Sequence, residues 1–391
     1  MAAVNASVRL LGLTACLVGS APGAGVPELR EVTARMQEFV EAREIAGAVT
    51  VVAGADGLLH LGVNGMADVD AKRPMAADAM FWIASMTKPV TATAVMMMDE
   101  AGKLAVDDPL SKHLPEFGRL KDAAGRPVTV TLRQCLTHSA GLAELTPREA
   151  ARITTLAELT ALVADKPVKF APGSRWEYCQ TGINAAARVV EVVSGTLFPE
   201  FLERRLFGPL GMKDTTFYPD EARVRRLATA YQRTADGRLE ATSVRGFLGK
   251  EPGDHNRYPM ANGGLFSTAG DYAAFCRMIL NGGELDGRRL LGAEAVRRMT
   301  GVQSGDLQTG FTPGNAWGLG WCVVREPQGV TAALSPGSFG HGGAYGTQAW
   351  IDPPKRRVYL LMVQRANFPN SDASDVRRAF QDAAARALGD R

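Results

Sequence analysis

Ser85 and Lys88 form the chain's single Ser-x-x-Lys sequence, directly before a long apolar run with helical spacing. A serine hydroxyl is a poor nucleophile until a neighbouring base removes its proton. Residues three apart on a helix share a face, so a helix start here would bring the lysine amine to the serine hydroxyl. Pro89 fits such a start, because proline is tolerated in a first helical turn. The pair is therefore a candidate nucleophile and base; the alternative for two such residues alone is a helix cap with a solvated lysine.

Two later segments supply residue types that an activated serine needs around it. Tyr178 ends a glycine-bearing loop and precedes a helical pattern, which would place its phenol at the rim of a site where it can carry a proton. The segment 340–347 opens a predicted strand with small residues that would let a substrate lie against the backbone. No serine of the chain lies in Gly-x-Ser-x-Gly, the sequence of another common class of serine hydrolases. Ser85 is therefore the candidate nucleophile that we retain.

Taken in order, the sequences Ser85-x-x-Lys88, Tyr178-Cys179-Gln180 and His341-Gly342-Gly343 resemble the catalytic boxes of the serine β-lactamase and penicillin-binding protein superfamily. We call them the first, second and third box. Within that superfamily the chain is most similar to class C β-lactamases and family VIII carboxylesterases, from about residue 27 to the C-terminus. Further stretches typical of the same family are 136–142, 207–212 and 263–268.

The resemblance implies a role for each box. Ser85 would be the nucleophile, and Lys88, held neutral by partial desolvation, would be the base. Tyr178 would share the proton and deliver it to the leaving oxygen. The N–H groups of Ser85 and of Ala344, the residue after the third box, would form the oxyanion hole. The residues expected to contact the substrate are Gln180, His341, Gly342 and Gly343.

The second and third boxes depart from the usual family sequences. The second box is usually Tyr-x-Asn, and Gln180 moves the amide out by one methylene. The third box is usually Lys-Thr-Gly in enzymes that act on β-lactams. With His341, an ammonium that stays charged to about pH 10 is replaced by an imidazole that titrates near pH 6.5. A fixed partner for a substrate carboxylate is thereby lost, and so is the threonine hydroxyl. Family VIII esterases are similar in having a degenerate third box, often with two glycines.

The sequence therefore predicts a serine carboxylesterase that cleaves esters of small or medium acyl groups through an acyl-enzyme at Ser85. One alternative is a β-lactamase, a D-Ala-D-Ala carboxypeptidase or a D-aminopeptidase. A second alternative is a non-catalytic binding protein of the same fold. The missing lysine of the third box disfavours the first alternative, and the intact Ser85, Lys88 and Tyr178 disfavour the second.

Other roles stay open for several of these residues. Tyr178 can instead be a core or rim tyrosine, and Gln180 a solvated helix residue. His341 can line the acyl pocket, contact the substrate or only pack. His138, within 137–142, is a further candidate base for Ser85, but in this family-like turn a buried, hydrogen-bonded histidine is expected.

Composition limits the remaining function classes. The chain has 391 residues with 46% apolar and 22% charged residues, which is ordinary for a globular protein but long for a single core. A net charge of +3 with dispersed lysine and arginine gives no basic stripe, so no nucleic-acid partner is expected. Five scattered histidines without His-Glu-x-x-His or Cys-x-x-Cys support neither a metal nor another cofactor. The expected partner is a small-molecule ester. Isolated cysteines, expected to be buried thiols, are Cys135, Cys179, Cys276 and Cys322.

The first residues resemble an export signal. Arg9 precedes the apolar run 10–21, which is too short to span a membrane, and small residues follow at 21–23. We therefore predict that 1–25 is a signal peptide and that the protein is periplasmic or secreted. The alternatives are a disordered tail on a cytoplasmic protein and a lipid anchor at Cys16.

The periodicity of the chain predicts strands near both ends and helices between them, an α/β architecture of the α+β kind. One antiparallel sheet would be assembled from the two ends and flanked by helices, with a mainly helical domain inserted. The predicted α/β domain comprises 26–85 and 301–391, and the helical domain comprises 86–300. The predicted terminal elements are a helix at 27–43, strands at 46–53, 58–65, 317–324, 347–351 and 357–364, and a last helix that begins at Ser371 or Asp372.

Overall fold

A computed structural model describes residues 28–390. The signal peptide predicted for 1–25 lies outside these residues. The α-helices are α1 Arg30–Glu41, α2 Thr87–Glu100, α3 Leu110–His113, α4 Leu132–Leu136, α5 Pro147–Ala150, α6 Leu156–Ala164, α7 Gln180–Ser194, α8 Phe198–Leu202, α9 Gly208–Leu210, α10 Glu221–Arg226, α11 Arg245–Leu248, α12 Ala269–Leu280, α13 Ala293–Thr300 and α14 Asp375–Ala387. The strands are β1 Gly47–Ala53, β2 Leu58–Asp68, β3 Arg73–Pro74, β4 Phe81–Trp82, β5 Ala230–Arg233, β6 Leu239–Thr242, β7 Phe266–Ser267, β8 Glu284–Leu285, β9 Arg288–Arg289, β10 Asn315–Trp317, β11 Cys322–Val324, β12 Phe339–Gly342, β13 Gln348–Asp352 and β14 Arg357–Met362.

The main sheet joins the two ends of the described chain. Its eight strands have the order β10-β11-β12-β13-β14-β1-β2-β3, and every neighbouring pair is antiparallel. The first and last strands in sequence meet at its centre, where Val51 of β1 pairs with Leu360 of β14. The predicted fold class, an antiparallel sheet built from both chain ends with helices between, is confirmed.

Both faces of the sheet are covered by helices, as the side chains of β1 show. All seven residues of β1 are buried. Val49 and Val51 belong to the large core on the side of α2 and α12. Ala48 and Val52 point the other way, into a smaller core formed with α1 and α14. Alternate residues of a strand face opposite sides, so a strand buried on both faces is apolar throughout.

Helix α2 is the central helix of the large core. Every residue from Thr87 to Met98 is buried, and the helix packs against α7, α13 and β12. A helix surrounded on all sides needs no polar face, which explains its weak amphipathic pattern. The three methionines at its end are core residues, as the sequence predicted: Met96, Met97 and Met98.

The segment 317–324, predicted as one strand, is a hairpin instead. Strands β10 and β11 pair with each other, and Trp317 lies opposite Cys322. The intervening turn contains Gly320 at φ +74°, where a Cβ atom would come within 2.6 Å of the Ala92 side chain in α2. The glycine turn therefore lets this corner of the sheet pack on the helix that follows Ser85.

The last helix begins at Asp375, later than predicted. Ser374 is its N-cap, and its hydroxyl accepts a hydrogen bond from the Arg377 N–H group. The residues predicted to start the helix, Ser371 and Asp372, lie in a separate 3-10 turn capped by Asn370. Asn370 thus caps the start of the 3-10 turn, and Ser374, four positions later, caps the start of the helix.

The predicted division at residues 85 and 300 stays a prediction, because the large core is continuous across it and contains Val90 of α2 as well as Val49 of β1. Within 28–390, no helix is long and apolar enough to cross a membrane. All four cysteines of the described chain are buried free thiols.

Candidate active site

Ser85 lies in a single 3-10 turn, Ala84–Met86, between strand β4 and helix α2. The sequence predicted a helix start close to Ser85, and the α-helix itself begins two residues later, at Thr87. The Lys88 ammonium Nζ donates to Ser85 Oγ at 3.1 Å and to the carbonyl oxygen of Asn262 at 2.8 Å. The structure thus brings the candidate nucleophile and base into direct hydrogen-bond contact.

The backbone just before Ser85 is strained. Ala84 has a φ of +45°, a left-handed conformation that is rare outside glycine. Such a conformation costs on the order of 1–3 kcal/mol and has to be held by its surroundings. The Ala84 carbonyl accepts a 2.7 Å hydrogen bond from the Thr87 hydroxyl, which itself accepts from the Leu265 N–H group at 3.2 Å. The first turn of α2 and the residue before β7 therefore fix the position of Ser85.

Burial makes Lys88 a base near neutral pH. Its side chain is fully buried, and burial disfavours the charged ammonium, which lowers the Lys88 pKa to about 7. The negative charge of Glu144 and, less so, that of Asp372 act in the opposite direction and do not outweigh burial. Neutral Lys88 is therefore well populated near pH 7, where an unperturbed lysine is almost fully charged.

Tyr178 places its phenol beside Ser85. The Tyr178 ring centre lies 4.5 Å from that of His138 and 4.9 Å from that of Phe311. Its hydroxyl lies near the Ser85 hydroxyl and 3.5 Å from His341 Nε2. Burial raises the pKa of the phenol well above its usual value. Tyr178 therefore stays protonated at neutral pH and suits a proton donor, which leaves Lys88 as the base.

His341 is a neutral imidazole of known tautomer. It is buried in β12, and its Nδ1 lies 2.7 Å from the carbonyl oxygen of Gly342, which can only accept a hydrogen bond. The ring proton is therefore on Nδ1, and the bare Nε2 faces the Tyr178 hydroxyl. Burial, and secondly the positive charge of Lys88, lowers the His341 pKa to about 3. The expected titration near pH 6.5 is wrong for this buried site.

The third box ends strand β12 and turns toward Ser85, rather than opening a strand as predicted. Thr347 donates to the Ile83 carbonyl oxygen at 3.4 Å, and a Cβ atom on Gly343 would lie 2.7 Å from the same oxygen. The turn after β12 therefore packs directly against the backbone that precedes Ser85. The space where a side chain of Gly343 would lie is filled by protein atoms, although this glycine also lines the pocket.

Two backbone N–H groups are free at this contact. Those of Ser85 and Ala344 donate to no other residue in the described chain, and both residues line the same pocket. The Ala344 turn is held by a hydrogen bond of 2.7 Å from the Gly343 N–H to the Thr347 carbonyl oxygen. This arrangement fits the predicted oxyanion hole, which needs preorganised donors aimed at one point.

Gln180 is connected to Lys88 through Asn262, a residue that the sequence analysis missed. The Asn262 amide donates to Gln180 Oε1 at 2.9 Å and accepts from the Asn184 amide at 2.9 Å. The carbonyl oxygen of Asn262 accepts from Lys88. Its position directly before the family-like stretch 263–268 was the available signal in the sequence. Asn262 therefore orients both the lysine and the second-box amide.

Glu144, also missed, holds the start of α7. Its carboxylate accepts from the backbone N–H groups of Gln180, at 2.5 Å, and Thr181, at 3.2 Å, and from the Thr181 hydroxyl at 2.8 Å. The N-cap residue itself, Cys179, makes no side-chain cap. A carboxylate at a helix N-terminus is stabilised by the free N–H groups and by the helix dipole.

His138 is the buried turn histidine that its sequence context predicts. It adopts φ +59°, and its Nδ1 accepts from the Cys179 N–H group at 3.1 Å. Its carbonyl oxygen accepts from the Glu177 N–H at 2.9 Å. Burial lowers its pKa well below the usual value. His138 thus binds both neighbours of Tyr178, and its hydrogen bonds support that loop rather than Ser85.

These residues surround a pocket of about 670 Å³. Among the predicted site residues, only the buried Lys88 is not in its wall. The pocket has apolar walls from Trp82, Phe247, Met260 and Phe311. The predicted residues that line it are Ser85, Tyr178, Gln180, His341, Gly342, Gly343 and Ala344.

The chain is similar in sequence and structure to known proteins. The family model described as Beta-lactamase matches residues 32–384. Protein Rv1367c of Mycobacterium tuberculosis is 33% identical over 374 residues, covering 87% of this chain and 91% of that protein. Esterase EstB of Burkholderia gladioli is 30% identical over 356 residues, covering 83% of this chain and 87% of that protein. The solved structure of EstCE1, described as a hydrolase with promiscuous acyltransferase activity, is similar with a TM-score of 0.78 at 25% identity, covering 90% of this chain and 97% of that one.

Proposed function

The chain belongs to the Beta-lactamase family, within the serine β-lactamase and penicillin-binding protein superfamily, and we propose that it is a serine carboxylesterase for small or medium acyl groups. The observation that carries the proposal is the 3.1 Å hydrogen bond between Lys88 Nζ and Ser85 Oγ. The pocket beside Ser85 is lined by the third box, in which no side chain is a cation. Membership of the family supports serine hydrolase chemistry, and the absence of a lysine or arginine from the described pocket wall supports an ester as the substrate.

The proposed reaction has two acyl-transfer steps. Ser85 Oγ attacks the ester carbonyl carbon while Lys88 takes the hydroxyl proton. The N–H groups of Ser85 and Ala344 bind the oxyanion, and one such donor typically contributes about 3 kcal/mol. Tyr178 gives its proton to the alcohol oxygen as the ester C–O bond breaks, and it regains a proton from Lys88. Water then attacks the acyl-enzyme and gives one proton to Lys88. Lys88 passes this proton to Ser85 Oγ as the bond between Oγ and the acyl carbon breaks, which releases the carboxylic acid and restores Ser85 and neutral Lys88.

The charge of the pocket favours uncharged esters over β-lactams and D-Ala-D-Ala peptides, which carry a carboxylate. His341 stays neutral because its pKa is about 3, and no lysine or arginine lines the described pocket. A buried hydrogen bond to a charged group is worth roughly 1.5 to 3 kcal/mol. Its loss weakens carboxylate substrates by about ten- to a hundredfold, while uncharged esters lose nothing.

The names of two similar proteins also support an ester as the substrate. EstB is named an esterase, and EstCE1 is described as a hydrolase with acyltransferase activity. If an alcohol replaced water in the second step, the same acyl-enzyme would transfer its acyl group, so an esterase site of this kind also permits transfer.

Turnover of a short-chain ester and of two family substrates tests this proposal. We expect a much higher kcat/KM for p-nitrophenyl butyrate than for a chromogenic cephalosporin or a D-Ala-D-Ala peptide. Ser85→Ala should abolish ester turnover without loss of the fold. Equal efficiency on the cephalosporin or the peptide would instead favour the β-lactamase or peptidase alternative.

A further inference from the structure

Asp372 places a carboxyl group in the pocket next to the third box. It lies in the 3-10 turn Ser371–Ala373, directly before α14, and lines the pocket together with Ser85. Among the described residues that line this pocket it is the only aspartate, glutamate, lysine or arginine. It is therefore the one side chain of the described pocket wall that offers a carboxylate to a ligand.

The third box makes room for this carboxyl group. A Cβ atom on Gly342 would overlap with Asp372 Oδ1 and would lie 2.5 Å from the amide nitrogen of Gln348. The threonine that is usual at this position does not fit beside Asp372. Compared with Lys-Thr-Gly, the box has thus exchanged a cation for the neutral His341 and has opened space for an anion.

The turn that carries Asp372 is held firmly, while its carboxylate is left without an ion pair. The Asp372 N–H donates to Asn370 Oδ1 at 3.0 Å, and the Arg377 guanidinium donates to the Asp372 carbonyl oxygen. The Gln348 amide donates to the preceding carbonyl oxygen, that of Ser371, at 2.8 Å. The carboxylate forms no salt bridge within residues 28–390. Burial raises the Asp372 pKa, and the charges of Arg377 and Lys88 together with the Gln348 amide offset this rise only in part. A further cation in the pocket would therefore stabilise the ionised carboxylate.

We infer that Asp372 makes the pocket select esters whose alcohol part carries an organic ammonium group. This inference rests on the proposed esterase function for its orientation of the ester. Tyr178, the donor to the leaving alcohol, lies 3.5 Å from His341 Nε2, and Asp372 lies against the next residue, Gly342. The alcohol part therefore faces Asp372. Phe311 lies beside Asp372 in the wall and is 47% exposed, and an aromatic face favours a quaternary ammonium.

A binding comparison with a matched pair of esters tests this inference without any need for turnover. Butyrylcholine and 3,3-dimethylbutyl butyrate have the same shape and differ in charge. Titration calorimetry with the Ser85→Ala protein should show about tenfold tighter binding of butyrylcholine. In Ser85→Ala combined with Asp372→Asn, the ratio of the two affinities should fall to near one. Asp375→Asn is the matched control, because this nearby carboxylate is 78% exposed and paired with Arg378, and it should leave the ratio unchanged.

Two results would overturn the inference: equal affinity of the two esters for Ser85→Ala, or a cation preference that survives both Asp372→Asn and Asp372→Ser. Thermal melting shows whether each variant is folded. Turnover of p-nitrophenyl butyrate by the unmodified enzyme is measured separately. Cation-selective binding without any ester turnover would overturn the esterase proposal and leave the role of Asp372 intact. Ester turnover without cation-selective binding would overturn the role of Asp372 and leave the esterase proposal intact.

Discussion

Burial gives three titratable side chains around Ser85 different roles. It lowers the pKa of Lys88 to about 7 and that of His341 to about 3, and it raises that of Tyr178 far above neutrality. Only Lys88 therefore changes charge near pH 7. The imidazole and the phenol keep one protonation state over the range in which the enzyme would work.

The pH dependence of ester turnover should follow Lys88. The neutral amine is the active form, so kcat/KM for p-nitrophenyl butyrate should rise about tenfold per pH unit below pH 7 and level off above it. Rates corrected for spontaneous hydrolysis between about pH 5 and pH 9 measure this. A flat profile, or one whose midpoint lies near the ordinary lysine pKa, would argue against Lys88 as the base.

Burial of Lys88 should also lower the free energy of unfolding of the protein. The Lys88 pKa of about 7 lies more than three units below that of an unfolded lysine, so at pH 7 or below its burial costs about 5 kcal/mol of folding free energy. The cost shrinks as the pH rises from 7 toward 10.5, where both states lose the proton. Lys88→Met gives up two hydrogen bonds, each worth about 1 kcal/mol, and should still stabilise the protein by about 3 kcal/mol at pH 7 while abolishing turnover.

Urea denaturation at pH 7 and pH 10 measures this gain, which should be small at the higher pH. Lys103→Met is the control, because Lys103 is exposed and its replacement should change the free energy of unfolding little. A Lys88→Met protein that is less stable than the unmodified one at pH 7 would contradict the proposed burial cost.

The sequence predicted the first box because its geometry is local: Ser85 and Lys88 lie three residues apart at a helix start. It did not predict Asn262 as a partner of Lys88, since the two lie 174 residues apart and meet only through the packing of the large core. The pKa expected for His341 was wrong because the pKa depends on burial, and burial also results from contacts between distant parts of the chain.

At the scale of elements, the start of α7 positions the second box through an external cap. Glu144 supplies the hydrogen bonds that the N-cap Cys179 does not. The sequence predicted α7 and the position of Tyr178 before it. It did not predict Glu144, because no capping sequence lies next to the helix. The predicted strand 317–324 was wrong for a similar reason, because a long-range contact decides the structure there. A glycine turn that packs on α2 divides this segment into two strands.

Glu144→Ala should therefore weaken catalysis through the second box. Loss of the cap leaves two N–H groups unpaired, and we expect a destabilisation of about 1–2 kcal/mol with a lower kcat. The negative charge of Glu144 also raises the Lys88 pKa, so its removal should move the acid limb of the pH profile to lower pH. A merely structural role would not produce that shift.

The control for this prediction is a second glutamate that caps a helix, in this case its own helix. Glu149 completes the capping box of α5 and pairs with Lys166, away from the pocket. Glu149→Ala should lower stability and leave the pH profile in place. An unchanged profile in Glu144→Ala, or the same shift in Glu149→Ala, would contradict the role given to Glu144.

At the scale of the whole molecule, the site forms where the two ends of the chain meet the helical middle. Ser85 follows the first strands, the third box belongs to β12 of the same sheet, and α7 supplies the second box. Strand pattern at both ends was enough to predict the sheet. The pocket depends on contacts between these three parts, so its wall, Asp372 included, could not be predicted. Export and the two-domain division remain predictions.

The central claim, an acyl-enzyme at Ser85, is tested most directly by mass spectrometry of the protein quenched with acid during turnover of p-nitrophenyl butyrate. We predict a mass increase of one butyryl group, located by peptide mapping on Ser85, and its absence in Ser85→Ala. Steady ester turnover with no adduct even in the Tyr178→Phe variant, or an adduct on another residue, would contradict the account.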